Sequence, residues 1–332
     1  MAHESSERQP LPLVSVPCEF CGATEGKPVT GPLTDIDLGE ELPAAFRALS
    51  FRFVECVACG LVYLRERPDA KDVAIYYPET YKCFQSYDQR GFIMKKLARA
   101  VAGGKLRHIA KLMPGGNGTL LDYGCGSGTW LVLLKELGCN YRMIGTDITG
   151  GPLQELRTRG IEAYECDETT IQRHIKPDSI GVVHMFHVIE HLPHVDHALE
   201  SIRKILLPGG VLIGQTPNIA SLGRRFWGDL WYQWHAPQHL VLFSDETLRR
   251  QAEKAGFEVL SITSSISGAT QWALSFLHWW SRFRGRPFRH IHEPMYPLLI
   301  LAAIPIAIFE ATFFRTCHMD FVLRKPAGST PF

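Results

Sequence analysis

From Thr119 onward short apolar runs alternate with amphipathic segments, and this alternation confines the chain to an α/β core. The runs Thr119 to Asp122, Tyr141 to Asp147 and Ile161 to Cys166 have strand length, while Trp130 to Leu137 and Leu153 to Arg159 have the spacing of helix faces. Repeats of strand, helix and strand predict a parallel sheet with crossover helices. Further strands are expected at Ile180 to Met185 and Val211 to Gln215. A helix around His194 to Leu207 lies between them and is stopped by Pro208-Gly-Gly210. With 332 residues, 45% of them hydrophobic, there is material for one large domain and a smaller one. Thirty-five basic against 34 acidic side chains leave a formal charge of +1, so no global field favours nucleic acid as a partner.

The first strand of this series runs into Asp122-Tyr-Gly124-Cys-Gly126-Ser-Gly128, and a helix follows at once. Glycines here let the backbone pass close to a ligand at the carboxyl edge of the sheet. The order G-x-G-x-G is not the G-x-G-x-x-G of a dinucleotide site, and no Lys-Ser/Thr pair follows as in a nucleoside-triphosphate loop.

The loop, with an acid two residues ahead of it, resembles the first motif of the class I S-adenosylmethionine-dependent methyltransferases. The match extends to Asp147 at the end of the second strand, Cys166-Asp167-Glu168 after the third, and His187-Val-Ile-Glu190-His191-Leu192 after the fourth. It continues with Leu206-Leu-Pro-Gly-Gly210 before the fifth strand and Thr216-Pro217-Asn218 at its end. The resemblance implies a Rossmann-like α/β core with a mostly parallel seven-stranded sheet, and S-adenosylmethionine as cofactor. It puts Asp122, Gly124 and Gly126 beside the methionyl part, with Gly128, Met185 and His187 further along the same site. Asp147 would serve the ribose and Asp167 the adenine amino group.

Four of nine cysteines form two matching units, Cys18-Glu-Phe-Cys21-Gly22 and Cys56-Val-Ala-Cys59-Gly60. Each Cys-x-x-Cys knuckle lets two sulfurs reach one tetrahedral ion, and the glycine allows the tight turn. A four-thiolate zinc has no open position, so it is expected to be structural and to hold a small zinc-ribbon-like domain together. The alternative is a pair of redox dithiols or plain buried cysteines. The start, Met1 to Pro10, lacks the zones of a secretory signal, and a cytoplasmic, reducing setting is expected.

Between the knuckles and the core lie the aromatics Tyr76, Tyr77, Tyr81 and Phe84. A lead-in helix follows over Phe92 to Met113, with a break expected at Gly103-Gly104 and an end at Pro114 to Gly118. After the fifth strand, Trp227, Trp231, Tyr232, Trp234, His235, Gln238 and His239 fall in one aromatic stretch, and Ser244 opens a helix ending near Gly256. Aromatics able to line a sugar or ring pocket beside imidazoles suggest the acceptor site. His239 is the favoured base, with His235 and Tyr232 as alternatives; structural capping is the competing reading. His187, His191 and His194 fall at helical spacing around Glu190, which suggests a metal site. Ubiquinone-type O-methyltransferases carry Glu-x-x-Glu-His here, linked to a divalent ion; His187 in place of the first Glu speaks against a catalytic metal.

The paired knuckles, this core and Trp234-His-Ala-Pro-Gln-His239-Leu are together similar to zinc-domain methyltransferases of sugar and polysaccharide biosynthesis. That similarity implies a small-molecule acceptor: a sugar, a sugar nucleotide or a glycolipid intermediate. A quinone or other small-aromatic O-methyltransferase is the alternative, and an inactive cofactor-binding zinc module the third reading.

The expected divisions are 1–66 for the zinc ribbon, 67–117 for connector and lead-in helix, 118–265 for the methyltransferase core, 266–319 for an apolar helical insertion, and 320–332 for a final strand and tail. The insertion holds Trp272 to Trp280, the arginines 282, 284, 286 and 289, and the apolar run Pro297 to Phe314, interrupted by Pro305 and Glu310. Both flanking strands belong to one sheet, so a single crossing of a bilayer is disfavoured. Helices capping the site, or a hairpin from Trp272 to Phe314 lying on the inner membrane face with a lipid-linked acceptor, are the two readings.

Overall fold

The computed structural model describes residues 13–38, 41–69, 73, 75–78, 92–112, 118–265, 268–285, 288 and 295–328. The expectations for Met1 to Pro10, for Tyr81, Cys83 and Phe84, for residues 113–117 and for Arg286 and Arg289 lie outside the described residues.

The N-terminal part contains β1 (Val14–Ser15), β2 (Gly26–Pro28), α1 (Ala44–Arg47), β3 (Phe53–Cys56), β4 (Val62–Leu64) and β5 (Glu66–Arg67). After α2 (Phe92–Leu112) come β6 (Thr119–Tyr123), α3 (Thr129–Glu136), β7 (Arg142–Asp147), α4 (Gly150–Thr158), β8 (Glu162–Glu165), β9 (Ile180–Phe186), α5 (Val195–Ile205) and β10 (Leu206–Pro217). The remainder is α6 (Leu222–Trp227), β11 (Val241–Leu242), α7 (Asp245–Lys254), β12 (Glu258–Ser264), α8 (Gly268–Phe283), α9 (Tyr296–Phe313) and β13 (His318–Arg324).

Seven strands form one sheet in the order β12-β13-β10-β9-β6-β7-β8. β6, β7, β8, β9 and β10 pair in parallel, and β13 runs antiparallel between β10 and β12. Apolar residues on both faces make the central strands continuously buried, as in Ile180 to Met185 of β9. The chain leaves β6 for β7 on one side and reaches β9 on the other, which makes the end of β6 the switch point where open α/β sheets bind ligands.

One local expectation is corrected. α2 passes through Gly103-Gly104 without a break, its flank packed on α3; two glycines cost about 1 kcal/mol each, which tertiary packing offsets. The helix before Pro208-Gly-Gly210 does end, at Ile205, and these residues belong to the irregular start of β10, where the register against β9 shifts.

Of the ribbon strands, β1 and β5 pair with each other, while β2, β3 and β4 share a sheet with a distant strand. β4 pairs with β11, so a four-stranded sheet in the order β11-β4-β3-β2 joins residues before 65 to a strand that follows the aromatic stretch. Phe53 meets Trp234 at 5.1 Å, and Lys254 of α7 donates to Phe20 O at 2.8 Å.

Candidate functional site

The loop after β6 is a chain of left-handed turns. Gly124, Gly126 and Gly128 have φ of 71°, 53° and 69°, values that side chains resist. A Cβ on Gly124 would stand 2.5 Å from Val188, and one on Gly128 2.3 Å from Leu156 of α4. The first two glycines shape the loop, and the third lets α3 start against α4. The loop is tied to β7, because Asp147 Oδ2 accepts from Gly126 N at 2.8 Å and its Oδ1 accepts from Thr149 N at 3.1 Å. Burial raises the Asp147 pKa, and these backbone donors oppose the rise. The carboxylate stands at the carboxyl edge of the sheet, aimed at a glycine backbone.

Asp122 is buried and faces inward: its Oδ1 lies 2.6 Å from Nδ1 of His184, its neighbour in register on β9. The His184 ring is stacked between Trp130 at 4.7 Å and Phe186 at 4.1 Å. Lys105 of α2 sets its ammonium 3.3 Å from the Phe186 ring centroid, a cation over an aromatic face. Burial lowers the Lys105 pKa to about 8 against the pull of Asp122 and Asp320. No periodicity in α2 singled this lysine out. Asp167 commits Oδ1 to the backbone and hydroxyls of Thr169 and Thr170. Burial pushes its pKa up, but these four donors outweigh it and leave the group below the usual range. The Met185 side chain is fully buried in the core at the end of β9.

His187, His191 and His194 do not share a helical face. His187 has φ 54°, residues Ile189–His191 form a single 3-10 turn, and α5 begins only at Val195. His194 turns away toward Glu19, 3.4 Å distant. Glu190 is fully buried, with Oε1 3.1 Å from His187 Nδ1 and Oε2 accepting from Thr216 Oγ1 at 3.0 Å. Burial raises its pKa, but the neighbouring imidazoles outweigh that and hold it low. His187 Nε2 meets Gln215 Oε1 at 2.9 Å, and Gln215 is oriented by Ser265 and Asp320.

His239 enters this cluster from fifty residues downstream in place of His194. Glu190, His191 and His239 each offer one ligand atom, all within 4.8 Å of one another. His191 Nδ1 faces Gln238 O at 2.8 Å and His239 Nδ1 faces Gln233 O at 2.7 Å, so in each the δ nitrogen donates and Nε2 keeps its lone pair. This donor set is able to hold a divalent ion. Burial lowers both imidazoles, His191 to about 4.

His239 Nε2 also lies 3.4 Å from Nδ1 of His235. His235, in a left-handed conformation before the cis Ala236-Pro237 bond, places Nε2 2.6 Å from Asp37 Oδ2. Tyr232 donates its hydroxyl to the same carboxylate at 3.0 Å, and its ring is stacked on His235. Asp35, two residues earlier, accepts from Gln238 at 2.7 Å. Sequence reading missed Asp35 and Asp37, which sit between the knuckles in a stretch with no motif. A cleft of about 380 Å³ opens beside these groups, lined by Asp35, Trp231, Trp234, His235, His278 and Arg282.

The two knuckles are near copies. Gly22 N donates to Cys18 O and Gly60 N to Cys56 O, both glycines have φ 76°, and the first cysteine of each donates to the residue after the glycine. Cys18 and Cys59 sulfurs are 3.5 Å apart, as are those of Cys21 and Cys56. That is far beyond a disulfide and close to the edge of about 3.8 Å expected for a tetrahedron of thiolates around zinc.

Residues 88–262, more than half of the chain, match the family model described as a methyltransferase domain. The chain belongs to the methyltransferase domain family. The methyltransferase core is similar, at 29% identity over 104 residues, to the ubiquinone biosynthesis O-methyltransferase of Aliivibrio fischeri. That match spans 30% of this chain and 44% of the relative, less than half of its length. Among solved structures the cyclase SpnF superposes with a TM-score of 0.52 at 17% identity, covering 79% of this chain and 98% of that one. A SAM-dependent methyltransferase from Archaeoglobus fulgidus reaches 0.45 at 19% identity, covering 68% and 94%. The likeness to a cyclase concerns the Rossmann-like fold alone, and chemistry has to be argued from the site.

Proposed function

We propose that this protein transfers a methyl group from S-adenosylmethionine to a small-molecule acceptor, and that the acceptor is a sugar, sugar nucleotide or glycolipid intermediate. The observation that carries the reading is the bond from Gly126 N to Asp147, which sets a carboxylate and a side-chain-free backbone together at the switch point of the sheet. Asp147 would hold ribose hydroxyls, Gly124 and Gly126 the path of the methionyl part, and Asp167 the adenine through the oxygen that Thr169 and Thr170 leave out. His187 borders the same edge. When bound, the cofactor supplies an electrophilic methyl on a sulfonium.

The chain's own contribution to transfer is to orient the acceptor and take its proton. His239 Nδ1 donates to Gln233 O and His235 Nε2 faces Asp37, which leaves the lone pairs of the two remaining nitrogens facing each other across 3.4 Å with room for one proton between them. A proton removed from an acceptor hydroxyl would be held there, opposite the Asp37 charge. The cleft beside His235 combines tryptophan faces with the Asp35 carboxylate, a lining suited to a polyhydroxylated ring. The four cysteines would hold a structural zinc that fixes the Asp37 segment.

A quinol O-methyltransferase is the second reading, favoured by the Aliivibrio relative and by the Glu190, His191 and His239 donor set. Calorimetry with S-adenosylmethionine tests the first step: Asp147→Ala should weaken binding by ~1–3 kcal/mol, about 5- to 150-fold. Unchanged affinity refutes the site. Mass analysis of products from sugar-nucleotide and catechol acceptors then separates the two readings, and turnover of neither leaves the inactive zinc module.

A further inference from the structure

α9 is built inside out. In a helix packed by water, large apolar side chains turn toward the protein. Here the buried residues are Ala303, Ala307 and Glu310, whereas Leu298, Leu301, Ile308 and Phe313 are 67%, 62%, 61% and 68% exposed. The inward stripe is small because the helices are close: a Cβ on Gly268 of α8 would stand 3.9 Å from that of Ala307. Small residues at the contact and large ones outside is the arrangement of helices solvated by lipid.

Glu310, the one charged residue of α9, confirms the inversion. It is fully buried, accepting from Gly223 N and from Trp272 Nε1, both at 3.0 Å. The outer face thus carries no charge, although the helix is long and apolar enough to cross a membrane. It packs on α8 through Ala303, Ala307 and Glu310 and is followed within a few residues by β13 of the sheet, so it lies against the protein rather than leaving it.

The patch continues onto α8 through Trp279 and the 73% exposed Phe283, and onto exposed Phe226 of α6. Each of these aromatic ends is flanked by exposed arginine: Arg225 before Phe226, Arg282 and Arg284 around Phe283, and, paired with Asp245 at 3.0 Å, Arg315 after Phe314. Arg284 stands over the Trp280 ring, 5.5 Å from its centroid. Apolar surface rimmed by tryptophan and arginine matches the acyl and headgroup layers of an anionic bilayer. A second copy of the chain would bring the same arginines toward one another.

We propose that the outer face of α9, with the aromatic end of α8, docks the protein on an anionic lipid membrane without crossing it. This is independent of the methyl-transfer reading. The probe is flotation of the full chain with phosphatidylcholine vesicles made with and without phosphatidylglycerol, together with sedimentation velocity in the absence of lipid. The protein should float with the anionic vesicles, less with the neutral ones and less at high salt. Leu301→Gln with Ile308→Gln should reduce flotation about tenfold at unchanged circular dichroism. Arg284→Gln should cost about fivefold on anionic vesicles and little on neutral ones. A wild-type protein that stays at the bottom of the gradient overturns the proposal, as does a double variant that floats like wild type. A dimer that the double variant converts to monomer, without flotation of either, assigns the face to self-association and overturns it too.

Discussion

Asp37 Oδ2 lies 2.6 Å from His235 Nε2, joining the segment between the cysteine knuckles to the aromatic stretch beyond the fifth parallel strand of the core. Both side chains are nearly inaccessible, and the same carboxylate takes the Tyr232 hydroxyl. The N-terminal part is therefore a component of the candidate acceptor site as well as its neighbour.

Asp37→Asn keeps the shape and removes the charge that faces His235. If the His235 and His239 pair holds the acceptor proton, turnover should fall roughly 10²-fold, the scale of general-base catalysis. Calorimetric affinity for S-adenosylmethionine should be unchanged. Wild-type turnover in this variant would remove Asp37 from the proton path.

Cys56→Ser breaks one knuckle. Metal analysis should find about one zinc per wild-type chain and markedly less in the variant. Its melting temperature should fall, because β3 and β4 lose their clasp while β11 depends on β4 for pairing. Turnover should fall with it through the Asp37 segment. A variant that keeps both its fold and its activity without metal would show that the thiols serve something else.

Lys105 gives a signature in pH. Its folded pKa is lowered to about 8 from 10.5, so between those values the unfolded chain binds the extra proton and stability from this residue rises with pH. In urea titrations from pH 8 to 10.5, wild type should gain on Lys105→Met as pH rises. A difference that stays flat would mean that the ammonium is fully hydrated.

Gly128 and Gly138 separate two costs. Both have positive φ, but a Cβ on Gly138 meets nothing within 4 Å while one on Gly128 runs into Leu156. Gly138→Ala should cost ~1 kcal/mol from the backbone alone. Gly128→Ala should cost a further ~1–3 kcal/mol from overpacking, read from urea unfolding. Equal losses would mean that Leu156 yields freely.

The core was legible because its signals are local. Thr119 to Cys166 alternates on the scale of single elements, and the glycines of the loop and of both knuckles mark backbone conformations that other residues resist. Ser244 is likewise a local helix-start signal, and its capping box with Thr247 is present. The histidine spacing at 187, 191 and 194 misled because a left-handed residue and a 3-10 turn break the helical register assumed for it.

The amino-acid order alone determined the strand and helix alternation, the cofactor-type loop and the paired knuckles, since each depends on residues within a few positions of one another. Only the tertiary structure decided that Asp37 meets His235, that His239 replaces His194 beside Glu190, that Lys105 sits over Phe186, and that α9 turns its alanines inward. Those relations are set by how distant elements pack. A one-dimensional pattern records which face of a helix is apolar but not what lies against it, and on a helix apolar all round it records no face at all.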